Sequence, residues 1–345
     1  MMEMTDRYCR YFHHLLTRKS LLYSEMITTN AIIFGDREYL LGFDLPPDAE
    51  PPVLQLGGSE PDAMAKCAVI GEQFGYQQIN MNVGCPSDRV QNGRFGACLM
   101  AEPALVADCV RAMQNAVAIP VTVKCRVGID RDDSYELFAD FVNTVAAAGC
   151  NTFVVHARKA WLDGLSPKQN REVPPLRYEF VQRIKSELPK VNFVLNGGLQ
   201  THHESLSFLA DSEHDDCHSP PLDGVMWGRE AYRNPWLLSE VDARYYGMLP
   251  CGKSRFELVE SMFPYIESRT SGSGSGSRSA GAAKSEHRGI PLGRITRHML
   301  GLFQAQPGGR LWRRHLSENS WKKGAGVEVV AEALCLVKRA TSKAA

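Results

Sequence analysis

Short apolar runs recur along the chain at intervals of about 25–40 residues, and the stretches between them have helical periodicity. The runs are "LLYSEMIT" (21–28), "PPVLQLGG" (51–58), "YQQINMNVG" (76–84), "IPVTVKCRVG" (119–128), "NTFVVHAR" (151–158), "NFVLNGG" (192–198) and "DGVMWGRE" (223–230). Between them lie amphipathic segments such as "PDAMAKCAVIGEQFG", "PALVADCVRAMQNAV", "SYELFADFVNTVAAAG" and "RYEFVQRIKSEL". Strand, helix and strand in repetition predict a parallel sheet, because parallel strands need a crossover. Near-continuous apolar strands fit burial on both faces. Six of the seven strands run into polar or Gly-rich residues at their carboxyl ends, which favours a TIM (β/α)8 barrel with its chemistry on that rim. A doubly wound sheet competes, but it calls for a glycine fingerprint after the first strand, and "EMITTNAIIFG" has none.

Seven strands leave a barrel one short. "DRYCRYFHHLLTR" already reads as the first helix, so the missing strand would precede residue 1. Beyond about residue 236 the pattern is helical only. "FELVESMFPYIESR" leads into the flexible tract "TSGSGSGSRSAGAAKSEHRG", then come "LGRITRHMLGLFQ", "GGRLWRRHLSENSWKKG" and "VEVVAEALCLVKRA". The expected division is a barrel domain over 1–240 and an all-helical domain over 241–345, with a disordered insertion at about 269–289.

Composition narrows the class. The chain is 44% hydrophobic, enough for a packed core, and no apolar run approaches the ~20 residues of a bilayer span. The ten cysteines are scattered without a CxxC pair, which reads as reduced thiols rather than a disulfide framework. The start has no signal-peptide core, so a cytoplasmic location is expected, or an organellar one if the natural chain begins further upstream. No obligate protein partner is evident, and a monomer is expected. Net charge is zero, yet between Arg288 and Lys323 eight Lys/Arg face one acid, Glu318. Such a face suits a polyanion or is simply a solvated helix surface.

Candidate chemistry gathers on the predicted rim. Asn196-Gly197-Gly198 and Gly228-Arg229 close the last two barrel strands, where backbone N–H groups and a guanidinium can hold a phosphate. Gln55, Lys124 and His156 interrupt apolar strands at matching ends. An unpartnered polar group there would cost ~1–3 kcal/mol, so each is either satisfied in the core or turned to a ligand. A Lys and a His near a phosphate suit a flavin, whose reduced form is anionic. Cys85 follows Asn80 and Asn82 in a Gly-Cys-Pro turn. A free thiol, with a pKa of ~8.5, holds its proton at neutrality and could donate it opposite a hydride source. A small buried apolar cysteine fits the spacing equally well.

"INMNVGCPSDRVQNGRFGACLM", "VVHARKAWLDGLSPKQNREVPPL", "NGG", "GVMWGREAYRNP" and "RHMLGLFQAQPGGRLWRRHLSEN" closely resemble the tRNA-dihydrouridine synthases of the A type, over nearly the whole chain apart from the Ser/Gly tract. The resemblance implies an FMN-containing barrel with a helical tRNA-binding domain. It implies NADPH-dependent reduction of the C5–C6 bond of tRNA D-loop uridines at positions 20 and 20a. By motif, Gln55, Lys124, His156, Asn196, Gly197, Gly198, Gly228 and Arg229 would hold FMN, and Cys85 would protonate C5. Asn82 would face the everted base, and Lys168, Arg171, Arg294 and Arg297 would contact tRNA. The family's first strand ends in a turn whose Met lies against the flavin; Met1 and Met2 fall at that place, and the strand itself is absent.

"HDDCH" (214–218) has zinc-type residues without a second ligand pair, and no metal is expected. Trp161 and Trp227 could stack on bases or pack in the rim. Two rivals stand beside this reading: an FMN barrel oxidoreductase acting on a free pyrimidine, and a non-catalytic tRNA-binding derivative without flavin.

Overall fold

The structure, a computed structural model, describes residues 1–87, 90–91, 93–132, 134–210, 220–271 and 289–344. Residues 214–218 and most of the Ser/Gly tract lie outside these. All seven predicted strands form: β1 Tyr23–Thr28, β2 Val53–Gly57, β3 Gln78–Val83, β4 Val121–Arg126, β5 Thr152–His156, β6 Asn192–Asn196 and β7 Gly224–Met226. They make one sheet in the order β1 to β7, every pair parallel. An order without reversal has no switch point, which removes the doubly wound alternative. Consecutive parallel strands with helical crossovers give a TIM-type α/β unit, with β1 and β7 as the sheet edges.

The register shows how the two faces differ. Leu54 pairs with Ile79, Met81 with Val123, Val123 with Phe153 and Phe153 with Phe193, all fully buried on the face toward the helices. Helix Pro61–Gln73 reaches this face through Gly71, where a Cβ would lie 2.6 Å from Leu54 Cδ2. The opposite face pairs Gln55 with Asn80, Asn80 with Thr122, Asn82 with Lys124, Arg126 with His156 and His156 with Asn196. The strands are therefore not apolar on both sides, as their near-continuous runs suggested. Their polar interruptions share one face, two residues apart.

Contacts divide the chain into two compact units, one of Tyr23–Leu41 and Pro51–Gly228, the other of Met1–Leu22, Gly42–Glu50 and the chain from Arg229 onward. The second unit holds no strand among its described residues and includes helices Arg7–His14, Arg255–Ser261, Phe263–Thr270, Gly309–Asn319 and Val327–Ala344. Its amino-terminal part, expected with the barrel at 1–240, counts here with the carboxyl-terminal helices. Carboxylates account for that. Asp242, 1% exposed, accepts hydrogen bonds from Thr17 Oγ1 at 2.6 Å and from the backbone N–H groups of Arg18 and Lys19. Asp44 pairs with Arg269 and accepts from Tyr265, whose ring stacks on Tyr11.

Phe153 and Phe193 stack at 5.8 Å between centroids in the fully buried layer. Phe153→Ala is expected to destabilise the protein by about 3–5 kcal/mol, read by denaturant unfolding. A loss below about 1 kcal/mol would contradict close packing of that layer.

Candidate active site

On the polar face the side chains bind one another before any ligand is considered. Gln55 Nε2 donates to Asn80 Oδ1 and Gln55 Oε1 accepts from Asn82 Nδ2, both at 2.9 Å. Asn80 Nδ2 donates to Thr122 Oγ1 at 3.0 Å, and Thr122 donates to the Ile79 carbonyl. The buried amides are thus satisfied, as their burial demands.

Asn82 also shapes the turn that follows. Its Oδ1 accepts from the N–H groups of Gly84 and Cys85 at 3.1 and 3.0 Å, an Asx turn that ends β3 and aims the chain at Cys85. The amide keeps one free N–H. From the other side, the Cys85 carbonyl accepts from Ala97 N at 2.9 Å. Arg126, 3% exposed at the end of β4, completes the arrangement. Its Nε donates to the Gly84 carbonyl at 2.8 Å and its Nη1 to the carbonyls of Lys159 and Asn170 at 3.0 Å. One guanidinium ties the Cys85 turn to the loop after β5. Cys85 is partly exposed, with its sulfur 3.5 Å from Ser87 Oγ. A cleft of about 600 Å³ opens beside Ser87, walled by residues 162–167. Elsewhere, burial pushes the thiols of Cys109, Cys125 and Cys150 up to about 12.

Lys124 donates to Asn196 Oδ1 at 2.9 Å, and Asn196 Nδ2 donates to the Met226 carbonyl at 2.8 Å. These two bonds bring β4, β6 and β7 together at their carboxyl ends. Burial, then the charge of Arg126, pulls the Lys124 pKa down to about 8. Arg126 is pulled down to about 10, chiefly by burial. His156 lies against Gly197, where a Cβ would come 2.5 Å from its Cδ2, and Gly197 has φ +110°. Burial, then Arg126, Lys124, Arg158 and Arg171, pushes the imidazole well below its ordinary pKa, so it is neutral. Gly198 also has positive φ, and Tyr178 Oη donates to the Gly197 carbonyl. The face has an excess of positive charge and fits an anion. Lys124 bonds Asn196 directly before the two positive-φ glycines, a combination that suits a phosphate-bearing flavin.

The structure thus joins Gln55, Asn82 and Cys85 in one hydrogen-bonded set and Lys124 and Asn196 in another across β4–β7, with His156 packed against Gly197 beside it. Gly228 follows β7 by two residues. Lys168 and Arg171 lie around the short turn Gln169–Arg171 after the cleft wall. Met1, Met2, Arg229, Arg294 and Arg297 belong to the helical unit. Met1 and Met2 are exposed, and Arg297 forms an ion pair with Asp6 at 2.5 Å. Trp227 donates to Ser205 Oγ at 2.8 Å and Trp161 is covered by Lys159, so both have packing partners. Arg126 and Arg158 were not singled out from sequence. The signal was present in "VTVKCR", where Lys124 and Arg126, two apart, must share a face.

Removing Arg126 strands three carbonyls in two loops. Arg126→Met is expected to lower stability by about 2–3 kcal/mol and to speed amide hydrogen exchange in residues 84–87 and 159–171 together. Faster exchange in one loop alone would show that Arg126 does not couple them.

The dihydrouridine synthase (Dus) family model matches residues 1–340. A tRNA-dihydrouridine(20/20a) synthase of Yersinia pestis is 54% identical over 338 residues, covering 98% of this chain and 90% of its own. Proteins of the same name from Vibrio parahaemolyticus and Escherichia coli are each 50% identical over 98% of this chain, covering 95% and 90% of their own lengths. A cysteine turn fixed by Asn82 and Arg126, beside a cationic face that ends at Gly197 and Gly198, is thus found in a chain that belongs to the dihydrouridine synthase family.

Proposed function

We propose that this chain reduces the C5–C6 double bond of D-loop uridines in tRNA, at positions 20 and 20a, with FMN as cofactor and NADPH as reductant. Support comes from the named relatives at 50–54% identity and, above all, from Cys85 and Lys124 sharing one cationic rim. When bound, FMN supplies the hydride that goes to C6. Gln55, Lys124, His156, Asn196, Gly197 and Gly198 hold it from this unit, with Gly228, and Arg229, Met1 and Met2 are the further candidates. Lys124 offsets the negative charge that gathers on the reduced ring. The neutral imidazole of His156 offers one N–H donor and one acceptor nitrogen.

Cys85 carries its proton into the reaction and delivers it to C5 as hydride reaches C6. The C=C π bond is consumed, two C–H bonds form and an S–H bond breaks. The thiolate left behind faces Lys124 and Arg126, then regains a proton from solvent. Asn82 and Arg126 hold the backbone on both sides of the sulfur, which keeps the donor in place. The base must leave its stack to reach such a site. Lys168, Arg171, Arg294 and Arg297 are the candidate tRNA contacts, and Asn82 has one N–H left for the base. No helix among the described residues is long and apolar enough to cross a membrane.

Dihydrouridine mapping tests the acid. In a strain lacking the gene, wild type is expected to restore D-loop dihydrouridine. Cys85→Ala should slow its formation by roughly 10²–10⁴-fold while the purified variant keeps its flavin absorbance. Restoration at the wild-type rate would remove Cys85 from the proton transfer. The depressed Lys124 pKa gives a second test. The ammonium is charged below about pH 8 and neutral above it. FMN affinity should therefore fall as pH rises through about 8, and binding at pH 8 should take up protons. Calorimetry in two buffers of different ionisation enthalpy reads the uptake, which Lys124→Met should abolish. Uptake that persists in that variant would place the titrating group elsewhere.

A further inference from the structure

Trp321 is 60% exposed, in the helical unit. An isolated exposed apolar residue needs no explanation, but this one is braced. A Cβ built on Gly293 would lie 2.2, 2.4 and 2.7 Å from Cε2, Cδ2 and Cζ2 of the indole. Those atoms include the bond shared by the two rings, so the indole lies with one face on the Gly293 backbone. Gly293 N donates to the Ser320 carbonyl at 3.0 Å, which locks the two segments together. The remaining surface of the ring system is open to water.

The surroundings are basic. Arg294 follows Gly293 and is exposed, and Lys322 and Lys323 follow Trp321 and are exposed. Lys322 Nζ donates to Asn319 Oδ1 at 2.6 Å, a neutral amide that leaves its charge uncompensated. By contrast, Arg314 is paired with Glu318 at 2.9 Å. A flat aromatic face, held rigid from behind and flanked by cations, matches an unpaired nucleobase with phosphates on either side. Stacking on such a ring is worth ~1–3 kcal/mol and tolerates any base.

We infer that Trp321 is a stacking platform for an unpaired base of the tRNA substrate, with Arg294, Lys322 and Lys323 meeting the adjacent phosphates. This rests on the tRNA reading above and adds a contact outside the reaction site. Gly293 is part of the device: any side chain there pushes the indole off its support.

The test measures binding of the full chain to an unmodified tRNA transcript over a range of salt concentrations. Trp321→Ala should weaken binding by roughly five- to a hundredfold with an unchanged salt slope, because stacking releases no counterions. Trp321→Phe should recover most of the affinity, and Gly293→Ala should reproduce the loss with the indole still present. Lys322→Ala should instead lower the salt slope by about one. Equal binding by wild type and Trp321→Ala would overturn the platform and leave the tRNA reading intact. A wild type that neither binds nor reduces tRNA would overturn both. If Trp321→Ala changes only self-association in ultracentrifugation, the surface joins copies of this chain and the platform is wrong.

Discussion

The guanidinium of Arg126 is the constraint on which the candidate site depends. A buried arginine is costly unless its donors are met, and here three carbonyls meet them. Those carbonyls belong to Gly84 in the turn after β3 and to Lys159 and Asn170 beyond β5, so satisfying one side chain fixes two loops. Cys85 follows Gly84 directly, and the loop after β5 leads through the cleft wall to Lys168 and Arg171. The position of the sulfur is therefore set from the strand beside it.

That constraint also sets the electrostatics. Lys124 and Arg126 stand two apart on one strand; after burial, Arg126 disfavours the charge of Lys124, while Arg171 and Arg158 disfavour that of Arg126. Among the influences on Lys124, only the two cysteines Cys125 and Cys85 favour its charge, and neither is a carboxylate. A face built this way gains most from an anion brought in from outside, because desolvation has already weakened the hydration that would compete with it.

Much of this was legible in the chain. The seven strands and their parallel order follow from spacing, because a two-residue period and helical crossovers leave few topologies. Gln55, Lys124 and His156 stood out as polar breaks in apolar runs. Arg126 did not, because a charged residue at a strand end is ordinary until its burial is known. Asn82 pointed to the right turn, but its hydrogen bonds to Gln55, Gly84 and Cys85 depend on a neighbouring strand that periodicity cannot supply. The joining of residues 1–22 to the carboxyl-terminal helices was invisible for a similar reason. It rests on contacts such as Thr17 to Asp242, 225 positions apart.

The basic run from 288 to 323 shows why counting charges along a chain overstates what a surface offers. One acid appears in that run, yet Arg297 is paired with Asp6, and Asp6 also meets His298 at 2.9 Å. Burial opposes the Asp6 charge, but His298, the Cys9 N–H and Arg297 outweigh it and hold the carboxyl below its usual range. A phosphate approaching Arg297 would have to displace a partner that is already charged and well placed, so the net gain there is small. Arg314 is matched by Glu318 within its own helix. Of the positive charge left to act on a polyanion, Arg294, Lys322 and Lys323 lie where the chain crosses itself at Gly293 and Ser320, and Arg310 and Arg313 are exposed along the helix Gly309–Asn319. The crossing at Gly293 and Ser320 is also where the exposed indole lies, so three uncompensated cations and the one open aromatic face of the 288–323 run, among its described residues, coincide on a few neighbouring side chains.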